Sequence, residues 1–340
     1  MSDTNVPNIA RNGGPGPPGT ATPAPDAASP ASAADRRPSV RYEALRFPGC
    51  RRIPLTRDEF ESSDDRIEYW DARAETAWVV ADNYGVHEGT SRRLPHLAER
   101  IASVRGAPIV SFGSVTLLVR DADGEPRRAM EADETLYLHP TRSATPRQSL
   151  VVGEHDFPDV VLEVDYTTDV RPGKLLLYEA WGFPELWVIV PPEGASPRRP
   201  AGVTIHRLRD ARYRSMPASG AFPGWTPAEI FDAMTERTPS AATCRVLERV
   251  GRALGARQGT GPADDPLSRV LIAEGRSEGR AEELAAAVES LLRVRGLAFR
   301  PELSRATASL GDVPRDAVMA AAYACTDEAD FWHRLGLPAR

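Results

Sequence analysis

The chain has 340 residues, 41% of them hydrophobic, with 42 basic and 48 acidic side chains and a formal net charge of −6. That length suits two domains or one domain with appendages, and the charge supplies no overall pull on a phosphate backbone, so nucleic-acid contact needs a local basic patch. Three scattered cysteines, Cys50, Cys244 and Cys325, exclude a zinc motif or a disulfide framework, and no apolar run reaches the roughly 18 residues of a membrane span.

Residues 1–40 are rich in Pro, Gly, Ala and Ser and are expected to be disordered, because they hold too little apolar surface to offset chain entropy. No signal-peptide apolar core opens the chain, so a soluble, cytoplasmic protein without membrane contact is expected. A domain is expected over 41–237. Thr56 caps a short helix that ends at Ser62, with Asp58 and Glu59 in its first turn. Ile67–Asp71 and Ala77–Val80 read as strands, and Leu94–Val104 as an amphipathic helix. His87 before it and His96 in its first turn read as polar surface residues, since no second metal-type spacing accompanies them. Ile109–Arg120 alternates as a strand, and a turn follows at Asp121–Gly124. Glu131 and Asp133 share a face just ahead of a strand at Thr135–Leu138.

The stretch from Asp156 to Val190 holds the only lysine, Lys174, against 41 arginines. An ammonium is a compact point charge and guanidinium a planar fork, so a single retained lysine points to a chemical demand. Val160–Val164 reads as a strand on which Asp159, Val161, Glu163 and Asp165 face one way and Val160, Leu162 and Val164 the other. A Thr-Thr-Asp cluster then precedes a helix from Lys174 to Trp181 with Gly182 as its stop, and a second strand runs from Leu186 to Val190. Lys174 and Tyr178 share a helix face. Tyr178, Trp181, Phe183 and Trp187 read as core, and Asp159 as a turn residue.

P-D-V-V-L-E-V-D at Pro158–Asp165, Lys174 with Tyr178 four later, and G-F-P-E-L-W-V at Gly182–Val188 resemble the core of the Uma-two family, restriction-endonuclease-like proteins of bacteria. M-E-A-D-E-T-L-Y-L at Met130–Leu138 is similar to the family's acidic motif, with Ala132 where the family usually has proline. T-R-D-E-F at Thr56–Phe60, followed by Ile67, Glu68 and Tyr69, resembles its first helix and strand, so the likeness spans Leu55–Phe231. The resemblance implies an α/β fold of the PD-(D/E)XK nuclease superfamily, a mixed sheet flanked by helices. It implies an endonuclease cutting DNA, with Asp133 and Glu163 holding Mg²⁺ (or Mn²⁺) and Lys174 orienting or deprotonating the attacking water. Asp165 stands where the usual motif has its lysine and is either a third metal ligand or a partner for Lys174. Glu68 and Glu131 are accessory candidates. The chemistry suits these residue types, because a hard cation that polarises a phosphodiester takes one or two carboxylates and fills its shell with water and phosphate. Cutting both strands favours a homodimer.

I-H-R-L-R, a turn at Asp210 and R-Y-R resemble the family's closing hairpin, whose Arg207, Arg209, Arg212 and Arg214 are either phosphate contacts or a solvated face. Thr226 caps a terminal helix ending near Phe231. Residues 238–266 read as a helix, Ala242–Leu254, and a linker, and 267–340 as a helical region. There Glu274, Glu278 and Glu282 line one face and Leu284, Val288, Leu291 and Leu292 the other, expected to bundle with Asp316–Leu335. The competing function is a non-catalytic protein of nuclease fold that binds nucleic acid or assembles through these helices.

Overall fold

A computed structural model of the chain describes residues 40–63, 66–80, 85–143, 149–297, 310 and 313–337. The expected disordered tail lies outside them, save for Val40. In chain order the described elements are β1 (Cys50–Pro54), α1 (Arg57–Ser62), β2 (Ile67–Asp71), β3 (Thr76–Val80), α2 (Gly85–Arg105), β4 (Val110–Arg120) and β5 (Pro126–Tyr137). Then come β6 (Ser149–Val151), β7 (Val160–Val164), α3 (Lys174–Trp181), β8 (Glu185–Val190), β9 (Gly202–Arg209) and β10 (Arg212–Met216). Five helices close the series: α4 (Pro227–Thr235), α5 (Ala241–Gln258), α6 (Pro266–Val294), α7 (Arg315–Ala324) and α8 (Glu328–Arg334).

Ten strands form one mixed sheet in the order β1-β3-β2-β5-β7-β8-β9-β10, with β4 on β5 and β6 on β4. The expected α/β architecture, a mixed sheet flanked by helices, is what the chain adopts. One feature of the pairing positions everything else. Along one edge β5 is paired with β4 from Pro126 to Tyr137. Its other edge is divided: β2 pairs with Arg128, Ala129 and Met130, whereas β7 pairs with Glu134, Thr135 and Leu136. The sheet therefore forks at Glu131–Asp133, where neither arm covers that edge.

The two faces of β7 go to different cores, as its alternation dictates. Val160, Leu162 and Val164 pack with α2, α4 and α5 through Leu94, Ile101, Ile230 and Leu247. Val161 faces α3 and packs with Leu177, Tyr178 and Phe183. β7 and β8 run parallel, as a strand-helix-strand unit with α3 as its crossover requires. Thr56 and Thr226 each close a capping box with the glutamate three residues on, Glu59 and Glu229. Asp210 and Ala211, with φ of 51° and 60°, make the tight turn of the β9–β10 hairpin.

Two elements exceed their expected lengths. α2 starts at Gly85, well ahead of Leu94, although it contains Gly89 and Pro95. β5 begins at Pro126 and carries the charged run Arg127–Glu131 within a strand, because pairing with β4 outweighs local polarity. The Thr-Thr-Asp cluster does not cap α3. Gly173 is its N-cap and makes no side-chain cap, while Asp169 instead binds Arg171. Only glycine fits at 173, since a Cβ there would stand 2.5 Å from the Arg46 carbonyl oxygen.

α5 packs on the sheet domain, with Leu247, Val250 and Leu254 in the same core as Leu94 and Trp187. The core of the sheet domain thus extends past 237 to α5. α6, α7 and α8 make a separate core around Val288, Val318 and Phe331. Truncation after Asp265 is expected to leave a cooperatively folded sheet domain. Truncation after Arg237 removes three large core side chains, each worth about 2–5 kcal/mol against a total stability of about 5–15 kcal/mol, and is expected to abolish the melt. Thermal melts by circular dichroism check this; a cooperative melt in the shorter protein would show that α5 is dispensable.

Candidate active site

Four charged side chains from four elements meet at the fork. Asp133 lies one step beyond the Glu134–Leu162 pair, in register with Glu163 on β7. In β2 the pairing with β3 slips by one residue between Ile67 and Tyr69, which leaves Glu68 as the extra residue of a bulge. Such bulges re-aim a side chain. Lys174, the first residue of α3, brings its Nζ to 2.5 Å from Glu163 Oε2 and 3.3 Å from Glu68 Oε1. Lys174 and Glu163 are each only 1% exposed, so this is a buried charge network.

The remaining oxygens are also held. Tyr178, one turn along α3, donates its hydroxyl to Glu163 Oε1. Asp133 Oδ2 accepts the Val164 N–H at 2.8 Å and lies 3.1 Å from His87 Nε2. Asp133 Oδ1 accepts from Arg66 Nη2 at 2.9 Å, and Arg66 also reaches Glu131 at 3.1 Å and Glu88 at 2.7 Å. Asp133 thus ties its own strand to the end of β7.

The electrostatics follow from burial and neighbours. Burial alone would raise the Asp133 carboxyl, but Lys174, the His87 hydrogen bond and charge and the Val164 N–H outweigh it and hold the group at about 2. Burial pushes the Glu163 carboxyl well above its usual range; Lys174 pulls it back, and Asp133 and Glu68 add to the rise. For Lys174 burial opposes the charge, yet Glu163, Glu68 and Asp133 together raise it above the ordinary lysine value, so the ammonium stays protonated. Burial also works against a charged His87, and its hydrogen bond to Asp133 and the Asp133 charge reverse this and raise it.

Beside the network is a cavity of about 10 Å³ lined by Arg66, Glu68, Val80, His87, Asp133, Thr167 and Thr168. That is room for about one water or one ion. Among the described residues no group of three or more His, Cys, Asp or Glu side chains is placed to hold a metal by itself. Glu68 and Asp133 line the cavity beside Arg66 and His87, and carboxylates are the hard oxygen donors that Mg²⁺ or Mn²⁺ takes alongside water and phosphate.

Asp165 is turned to another partner. Its Oδ1 binds Arg199 Nη1 at 2.9 Å, and burial, opposed by Arg199, moves its carboxyl up to about 6. Glu131 reaches the centre through Arg66. The β9–β10 hairpin is separated from β7 by β8, so Arg207, Arg209, Arg212 and Arg214 are not brought to the centre. Arg212 binds Glu179 at 3.0 Å, and Arg207 lies over Gly220. The expectation for His87 is corrected: it is buried and faces Asp133, not solvent. Tyr178 is core, as expected, and also donates a hydrogen bond to Glu163. The signal for His87 was present: counted at helical spacing, His87, Ser91, Leu94, Ala98, Ile101 and Arg105 form one buried stripe. Arg66 and Glu88 had no such signal, because nothing local marks a lone arginine before a strand.

Sheet and charge cluster together define a mixed α/β protein with a buried ion network at a fork in its sheet. No protein-family model and no curated protein matches this chain. Among solved structures it is similar to one described as "a putative nuclease belonging to DUF820" from Anabaena variabilis. The two are 11% identical with a TM-score of 0.34, and the match covers 58% of this chain and 99% of that one.

The buried pair makes a stability prediction. Lys174→Met leaves Glu163 buried without its cation and is expected to cost about 3–5 kcal/mol in urea denaturation. Adding Glu163→Gln should recover part of that loss, so the double variant falls short of the sum of the singles. Strict additivity would mean that the two side chains do not act as a pair.

Proposed function

We propose that the protein is a metal-dependent endonuclease that hydrolyses phosphodiester bonds of DNA. The observation that carries this reading is the meeting of Glu68, Asp133, Glu163 and Lys174 at the sheet fork, beside a cavity of ion size. Asp133 and Glu68, which line the cavity, and Glu163, linked to Glu68 through Lys174, are the carboxylates that would hold the ion. Mg²⁺ or Mn²⁺ bound there supplies polarised phosphoryl oxygens and a more acidic water.

The chain's own groups have separable roles. Lys174 places a fixed positive charge beside the carboxylates, where it orients water and offsets charge growing on the phosphate. Tyr178 holds Glu163, and His87, Arg66 and the Val164 N–H hold Asp133. Because these partners are locked by packing, the centre is preorganised before substrate arrives. Asp165 acts as the Arg199 partner that fixes the loop after β7, since Arg199 also binds the Tyr166, Thr168 and Gly194 carbonyls. A homodimer acting on duplex DNA belongs to the same reading, with one centre per strand.

A second reading is favoured by one observation: each oxygen of Glu163 already has a protein partner. On that reading the cluster is a structural ion network in a non-catalytic protein that binds nucleic acid or assembles through its C-terminal helices. Plasmid incubated with Mg²⁺ or Mn²⁺ separates the two. The nuclease reading expects nicking that EDTA abolishes and that Asp133→Asn, Glu163→Gln and Lys174→Ala each lower by about a hundredfold or more in proteins shown to be folded. No cleavage of DNA or RNA by the wild-type protein, with no heat of metal binding, would leave the structural reading.

A further inference from the structure

A cavity of about 720 Å³ opens over the β1-β3-β2 arm of the sheet. Its size is in the range of small-molecule sites. Its floor is a buried ion pair: Arg128 Nε donates to Asp71 Oδ2 at 2.9 Å, and the same oxygen accepts the Tyr69 hydroxyl at 3.2 Å. Asp71 Oδ1 accepts the Arg73 backbone N–H, so this carboxylate is fully satisfied and fixes the turn after β2. Two half-buried aromatic rings line the walls. Tyr42 lies against Arg128, whose guanidinium carbon is 3.6 Å from the ring centre, and Arg52 sits over Trp78 at 5.6 Å.

The rim is basic. Arg46, Arg52 and Arg73 are exposed there, against the single rim carboxylate of Glu43. Among the described residues the Arg73 guanidinium has no hydrogen-bond or ion-pair partner. Three exposed guanidinium groups around aromatic walls are what a nucleotide needs: cations for its phosphate and π-faces for its base. The chain's net charge of −6 hides this patch, which is the local concentration of positive charge that contact with a phosphate backbone requires.

The cavity also lies beside the charge cluster. Tyr69, which lines it, directly follows Glu68, and the Arg46 N–H donates to the Pro172 carbonyl two residues before Lys174 at 3.1 Å. The close approaches of Gly49 to Thr167 and of Gly173 to Arg46 hold this rim against the start of α3.

We infer that this cavity is a nucleotide-binding site, which seats a nucleotide of a single strand with its phosphate on Arg46, Arg52 and Arg73 and its base against Tyr42 and Trp78. The polymer as ligand rests on the nucleic-acid reading above; the binding of a nucleotide does not require the fork to be catalytic. The probe is a fluorescein-labelled 12-nucleotide single-stranded DNA, titrated by anisotropy in EDTA with the full chain, and displaced by dAMP. Arg52→Ala with Arg73→Ala, two exposed positions, is expected to weaken binding at least tenfold and to lower the salt-dependence slope by about 1.4, two phosphate contacts' worth for a single strand. Trp78→Leu is expected to weaken dAMP competition by about fivefold or more. The hairpin double variant Arg209→Ala with Arg214→Ala is expected to bind as wild type. Unchanged affinity and slope in Arg52→Ala/Arg73→Ala, or loss confined to the hairpin variant, would overturn the assignment. So would no binding by the wild-type protein, even where plasmid is cut. Binding lost in Arg52→Ala/Arg73→Ala from a protein that cuts no DNA would keep this site and sink the nuclease reading.

Discussion

A single buried ammonium, Lys174 against Glu163 and Glu68, is the interaction on which the rest of this structure depends. Removing two charges from water costs several kcal/mol per ion, and the attraction repays this only where the geometry is good and every spare lone pair is satisfied. The surroundings meet that condition piece by piece. Tyr178 takes the second Glu163 oxygen, the β2 bulge turns Glu68 inward, and Gly173 lets the Arg46–Phe47 segment cross close enough to seat the start of α3. Well-packed apolar side chains in place of a buried ion pair are often as stable, so stability alone does not call for this network.

The fork in the sheet explains why these four charges gather there. A continuous strand pairing along β5 would have covered the edge at Glu131–Asp133 with backbone partners. With β2 and β7 sharing that edge in succession, a short length of it is left to side chains, and Asp133 uses it to accept the Val164 N–H from the far arm. Open edges of this kind are where α/β sheets hold ligands, because several strand ends converge on one small volume. The cavity over the β1-β3-β2 arm shares β2 with the fork, since Tyr69 lines it and Glu68 belongs to the charge network.

Much of the fold was legible in the sequence, and the reasons are local. The β7-α3-β8 unit was readable because a short β-branched run, a helix ended by Gly182 and a second apolar run each carry their own signal. Alternation put Glu163 on the face of Val161, which packs against α3, and Thr56 and Thr226 were legible as helix caps. What could not be read was long-range. The Arg66–Asp133 and His87–Asp133 contacts join residues 67 and 46 apart in the chain. The partner of Asp165 proved to be Arg199, supplied by a loop that no pattern near Asp165 foretells. α2 was read as starting at Leu94, although it starts at Gly85, and that one boundary left His87 outside the helix. The extension of the sheet core to α5 was hidden in the same way, since the change of composition after Thr238 looked like a border.

The most direct test of the central claim, that the fork is an ion site built around Lys174, is a crystal structure with Mn²⁺ and its anomalous signal. The account predicts a peak bounded by Glu68, Asp133 and Glu163, with water completing the coordination shell. A fully occupied Lys174–Glu163 pair with no peak at the fork, in crystals that show Mn²⁺ elsewhere or nowhere, would contradict it.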